Sequence, residues 1–220
     1  MVTFHAEAVT PGCQQAMALL RDQSLLSGFY LAGGTALALQ IGHRISTDLD
    51  WFTPSHLLEY QERDALRSAL GKIGTFEVIS EQDNQMYARL TGTDVSFIYQ
   101  HHSLLEPTVD YEGIPLASPT DIGVMKLAAI NSRGARRDFV DIYCLRDIVP
   151  LQRLIELAKI KYADRPGFLD ITVRALAYFA DAEQQPMPRL LWQTVHWGDV
   201  VKYCETGVKW LAQRLREQHR

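Results

Sequence analysis

An apolar run, Phe29 to Ala32, stops at Gly33-Gly34; a helical pattern follows from Thr35, and a second apolar segment carries Asp48 and Asp50. The order strand, glycine turn, helix, strand constrains this chain more than any other feature. Side chains alternate across a strand, so Asp48 and Asp50 project to one face and Leu49 and Trp51 to the other. Two carboxylates roughly 7 Å apart along one strand face repel each other unless a cation lies between them. A hard divalent ion such as Mg2+ is held by one or two carboxylates together with substrate phosphates. Gly33 and Gly34 permit close backbone approach, Thr35 is placed as the N-cap, and the free N–H groups of the helix start attract anions. Singly, Gly-Gly-Thr is a common strand-to-helix turn and Asp-x-Asp a solvated strand face. Together, with 13 residues between Gly34 and Asp48 for a short helix and a return, they point to a metal–nucleotide site.

The rest of the chain bounds that reading. At 220 residues a packed core forms without staples. A formal net charge of −4 argues against coating nucleic acid by bulk electrostatics and leaves room for a local basic patch. Cys13, Cys144 and Cys204 are widely separated and show no metal-binding spacing, which reads as buried thiols in a reducing compartment. No signal-peptide pattern opens the chain, and no apolar run approaches the roughly 20 residues of a membrane span. The expected setting is cytoplasmic, with no membrane partner.

Periodicity divides the chain near residue 117. Before it, Pro11 to Leu26 reads as an amphipathic helix and residues 53–73 as another. Phe76–Ser80, Gln85–Leu90 and Asp94–Tyr99 read as antiparallel strands, with a short extended piece at Ile114–Ala117. Behind the boundary, Pro119–Asn131, Arg136–Val149, Leu151–Ala163, Phe168–Asp181 and Asp199–Gln218 read as helices. The expectation is an α+β fold. A mixed sheet flanked by helices fills residues 1–117, and a C-terminal helical bundle, residues 118–220, contributes to the same cleft.

A second constellation follows the boundary. Lys126 lies on the first of these helices, Asp138 and Asp141 share a face of the next, and Arg133, Arg136 and Arg137 lie between Lys126 and Asp141. Lysine and arginine beside a metal–phosphate site neutralise a triphosphate, arginine by bidentate contact. The plainer reading makes the acids partners of the helix dipole and the arginines a solvated loop. Other chemistries lack their motifs: there is no H-E-x-x-H, G-x-S-x-G or G-x-x-x-x-G-K. Adjacent His101 and His102 point apart if they lie on a strand. Trp192, Trp197, Tyr203 and Trp210 read as helical core rather than a base-stacking surface.

Gly33-Gly34-Thr35, His43-Arg44, the run Asp48-Leu49-Asp50-Trp51-Phe52, Lys126 and Arg137-Asp138-Phe139-Val140-Asp141 together resemble the AbiEii/AbiGii nucleotidyltransferase-like proteins. That group lies within the polymerase-beta-type nucleotidyltransferase superfamily, and many of its members are toxins of toxin–antitoxin systems. The resemblance covers roughly residues 29–145. It implies transfer of a nucleoside monophosphate from an NTP to an acceptor with Mg2+ or Mn2+ as cofactor, the acceptor being RNA such as a tRNA end, under control of a cognate antitoxin. Carried over residue by residue, Asp48 and Asp50 bind metal, and Gly33, Gly34, Thr35, Arg44 and Arg137 contact nucleotide. Lys126 neutralises charge, and Asp138 or Asp141 acts as base or positions Lys126. The superfamily's third carboxylate has no clear counterpart, because Asp94 and Ser96 share the face where it belongs and Ser96 takes the usual position. Two alternatives share these residues: a catalytically weak module binding nucleotide or a partner, and an enzyme modifying a small molecule.

Overall fold

The computed structural model describes residues 3–21, 23–191 and 194–218, and the chain forms two compact units, Met1–Ser118 and Pro119–Arg220. The first unit runs α1 (Pro11–Arg21), β1 (Tyr30–Ala32), α2 (Gly33–Ile41), β2 (Asp48–Thr53), α3 (Tyr60–Leu70), β3 (Phe76–Gln82), β4 (Gln85–Leu90), β5 (Thr93–Tyr99), β6 (Val109–Tyr111) and β7 (Ile114–Leu116). Its strands form one mixed sheet in the order β3-β4-β5-β2-β1-β7-β6. β2 is parallel to β5 and antiparallel to β1, and β1 is parallel to β7.

Burial along β2 alternates strictly, and the buried positions are Leu49, Trp51 and Thr53. A slip of one residue would expose Leu49 and Trp51 and drive both aspartates into the core, so the hydrophobic pattern itself sets the register. On the same face the neighbouring strands bury Val95 and Phe97, then Met86 and Ala88. Helix α1 contacts β5 and α3 contacts β3, burying Leu20, Leu66 and Leu70. Full burial of each leucine contributes about 1.5–3 kcal/mol.

Element ends depart from the sequence pattern where local hydrogen bonds compete with it. α1 stops at Arg21, and Leu26 belongs to a separate 3-10 turn, Ser24–Leu26; Asp22, inside the expected helix, lies outside the described residues. α3 begins at Tyr60 rather than near Thr53. β2 runs through Thr53, whose hydroxyl accepts the N–H groups of Ser55 and His56, and the helix start is fixed by a capping box of Glu59 and Glu62. The short hairpin strand β6, not apparent from periodicity, turns through Glu112 and Gly113 at positive φ. β5 ends at Tyr99, so strand alternation does not govern His101 and His102; their rings lie 3.7 Å apart instead of pointing away from each other.

The second unit is helical: α4 (Pro119–Arg133), α5 (Arg136–Cys144), α6 (Leu151–Lys161), α7 (Phe168–Leu176), α8 (Ala180–Glu183) and α9 (Trp197–Gln218). The segment 168–181, expected as one helix, is interrupted after Leu176. α5 likewise stops at Cys144, short of the expected Val149. α9 buries Val200, Cys204 and Leu211 on one face at helical spacing and packs on α5, α6 and α7. Trp197 meets Phe139 and Phe179 edge-on at 6.0 Å, and the Tyr203 hydroxyl accepts the Leu151 N–H at 2.9 Å. Trp197 and Tyr203 are thus packed within the helical unit, and Trp192 lies outside the described residues. All three cysteines are buried, and none is joined in a disulfide. Among the described residues no helix is long and apolar enough to cross a membrane.

Candidate active site

Asp48 and Asp50 stand half-buried on the β2 face opposite the core. β2 hydrogen-bonds to β1 and β5 on its two sides, and Ala32, Asp50 and Ser96 lie in one cross-strand row. Ala32 is the last residue of β1 and α2 starts at the next residue, so the row carries the start of α2 to the Asp50 carboxylate. A Cβ built on Gly33 would lie 2.5 Å from Asp50 Oδ2, and Gly33 has φ +66°. Only a glycine meets both demands without strain.

Side-chain contacts hold the pair in place from several directions. Ser96 donates to Asp50 Oδ1 at 2.6 Å, and Ser46 donates to Asp48 Oδ1 at 3.4 Å. Thr35, expected as the N-cap, is instead inside α2; Ala32 is the cap residue, no side chain caps the helix, and the Thr35 hydroxyl donates to the Asp48 carbonyl. The first N–H groups of a helix lack intrahelical partners, so this uncapped start presents donors beside a carboxylate. Oxygen donors from Asp48, Asp50 and Ser96 match the preference of a hard divalent cation.

Arg44 is buried, 5% exposed, and its Nη1 donates to the Ile45 carbonyl at 3.1 Å and to Ser46 Oγ at 3.4 Å. Arg44, Ser46 and Asp48 therefore form a chain of side-chain contacts ending at the carboxylate. Gly34 packs directly on this guanidinium: its added Cβ would collide with Arg44 Nη2 and lie 3.2 Å from Ser46 Oγ. Gly34→Ala is expected to lower stability by about 1–3 kcal/mol, the usual cost of overpacking, read as a lower urea midpoint at unchanged slope. An unchanged midpoint would show that Arg44 swings aside. Ser46 was not singled out in the sequence; its only signal was its place two residues before Asp48.

The face that should carry a third acid carries Ser96 opposite Asp50 and Asp94 opposite Asp48. Ser96 is buried at 4% exposure and spends its hydroxyl on Asp50. Asp94 is exposed and bound by Arg89 at 2.8 Å.

In the helical unit, Lys126, Asp138 and Asp141 converge. Lys126 Nζ lies 2.7 Å from Asp138 Oδ1 and 2.6 Å from Asp141 Oδ2, with both carboxylates fully buried. The Arg133 guanidinium closes on Asp138 with Nε at 2.8 Å and Nη2 at 3.1 Å. Burial alone would raise the Asp138 carboxyl; Lys126 and Arg133 outweigh it and hold the group below its ordinary range. Arg137 is exposed.

Comparison with known proteins gives this geometry a family. Residues 16–195 match the model described as nucleotidyl transferase AbiEii toxin, type IV TA system. An uncharacterized protein of Aquifex aeolicus (strain VF5) is 30% identical over 204 residues, covering 89% of this chain and 94% of that protein. Among solved structures, MenT4, a nucleotidyltransferase toxin of Mycobacterium tuberculosis, shares the fold with a TM-score of 0.54 at 18% identity, over 94% of this chain and 86% of that one. JHP933 of Helicobacter pylori has a TM-score of 0.52 at 15% identity, over 98% and 96%. The chain belongs to the AbiEii nucleotidyltransferase toxin family.

Proposed function

We propose that this nucleotidyltransferase moves a nucleoside monophosphate from an NTP to a hydroxyl of an RNA acceptor such as a tRNA 3′ end, in a metal-dependent reaction in the cytoplasm, and that a cognate antitoxin restrains it. The observation that carries this reading is the uncapped start of α2 set against the Asp50 carboxylate, an anion seat beside a cation seat. MenT4, which shares the fold, is a nucleotidyltransferase toxin by name.

Asp48 and Asp50 are the residues that hold Mg2+ or Mn2+ with the nucleotide phosphates. When bound, the ion stabilises the attacking and leaving oxygens of an in-line displacement. The N–H groups of α2 at Gly33 and Gly34 seat the phosphates, and Arg44, through Ser46, fixes Asp48 from behind. The acceptor hydroxyl oxygen bonds to the α-phosphorus, the bond to pyrophosphate breaks, and the hydroxyl proton is released. Such transfer is mostly positioning and electrostatics, which is what these residues supply. Of the two roles open to Asp138 and Asp141, positioning of Lys126 is supported by their shared contact with its Nζ. Arg137, exposed like Arg133, is the residue to which the family resemblance assigns phosphate neutralisation.

Incubation with labelled NTPs and total bacterial RNA tests the reading. Label is expected on RNA with Mg2+ or Mn2+ and not in EDTA, and calorimetry is expected to show NTP binding only with metal. Equal NTP binding in EDTA, or no labelled RNA with any NTP, would overturn it.

A further inference from the structure

We propose that a groove formed by α6, α7 and α9 of the helical unit binds a small anionic amphiphile, an apolar chain ending in a carboxylate. The site is independent of the transfer reading and needs neither metal nor nucleotide. The groove holds about 310 Å³, the lower end of the range for small-molecule pockets. Ile155 and Leu211 are its buried lining. Leu169 and Trp210, half-buried, and Ile160, 65% exposed, extend the apolar surface outward. Singly exposed apolar residues are ordinary, whereas a concave contiguous set marks a ligand groove. A groove of this volume seats one short chain and not the several anchors of a docked helix.

The charges at the rim select the head group. Arg214 and Lys159 both line the groove. The Arg214 guanidinium carbon lies 5.4 Å from the centroid of the Trp210 ring, inside the range of a cation–π contact. The ring thus holds the cation at the edge of the apolar surface. Among the described residues Arg214 makes no ion pair and no side-chain hydrogen bond, so its donors remain for a carboxylate, which a guanidinium takes in bidentate geometry.

Acids do not cancel this rim. Glu156 is the one acid among the described lining residues, and Arg153 bridges it at 3.3 Å. Outside the lining, Asp170 beside Leu169 and Glu217 beyond Arg214 are matched in number by Lys209 and Arg216. A cationic head group would be repelled by Arg214 and Lys159, and a neutral one would gain little from them.

Calorimetry on the full chain with octanoate, octan-1-ol and octylammonium as probes tests the assignment. Octanoate is expected to bind about tenfold tighter than octan-1-ol, the scale of one hydrogen bond to a charged group, and octylammonium to bind weakest. Arg214→Gln is expected to remove the advantage of octanoate and leave octan-1-ol unchanged. Ile160→Ser is expected to weaken both. Both side chains are exposed, so neither substitution threatens the fold. No saturable heat with octanoate, equal affinity for octanoate and octan-1-ol, or octanoate binding untouched by Arg214→Gln would overturn the proposal. So would a dimer in sedimentation, or retention on phosphatidylglycerol vesicles, that Ile160→Ser abolishes, since the groove would then belong to a second copy or to a membrane.

Discussion

Asp50→Ala is expected to reduce transfer by about 10²–10³-fold or more, the scale on which removal of one well-placed electrostatic group acts, and to remove metal-dependent NTP binding. Asp50 is the carboxylate that touches Gly33 at the α2 start and receives the Ser96 hydroxyl, so its loss separates the phosphate seat from the cation seat. Asp48→Ala is expected to act in the same direction, because Ser46 and the chain from Arg44 lead to that carboxylate. Asp94→Ala is expected to leave both readouts nearly intact, since Asp94 sits opposite Asp48 and is spent on Arg89. Ser96→Asp puts a third acid directly beside Asp50 and is expected to lower the metal concentration needed for half-maximal rate. Circular dichroism checks each fold. An Asp94→Ala protein as inactive as Asp50→Ala, with its fold intact, would show that the third ligand is Asp94 and not the position of Ser96.

The legible part of this site was its local part. The alternation Asp48, Leu49, Asp50, Trp51 gives the strand, its faces and the carboxylate pair without reference to anything distant, because exposing Leu49 and Trp51 is too unfavourable for another register. Gly33-Gly34 likewise marked the turn. What the glycines admit was not legible: Gly33 makes room for Asp50 and Gly34 for Arg44, contacts across several to many residues of chain that no spacing encodes. Thr35 reads as a cap from its type alone, yet the Asp48 carbonyl opposite captures its hydroxyl. The start of α3 was missed because Thr-Pro-Ser mimics a helix entry, whereas the reciprocal bonds of Glu59 and Glu62 lie six residues on. Ser96 and Asp94 were placed on the right face, but their partners became visible only once the sheet fixed which strand lies beside which.

Lys126→Met is expected to destabilise the protein by about 3–5 kcal/mol, the cost of removing one partner from a buried ion pair. The cluster is closed: Lys126 Nζ touches both Asp138 and Asp141, and each carboxylate has no exposed surface. Without the ammonium, two buried carboxylates lie close together on α5, and the half-exposed Arg133 compensates Asp138. Asp138→Asn is expected to cost less, because Asp141 keeps Lys126 paired and Arg133 can turn to water. The two variants also separate in their pH dependence. In wild type the Asp138 carboxyl is held below its unfolded value of about 3.9, burial being outweighed by Lys126 and Arg133. Its contribution is therefore complete above that pH and is lost as pH falls through the folded value. Urea midpoints measured downward from neutral pH should fall below about pH 4 in wild type and fall less steeply in Asp138→Asn. A Lys126→Met protein as stable as wild type at neutral pH would mean that the cluster contributes nothing to the fold.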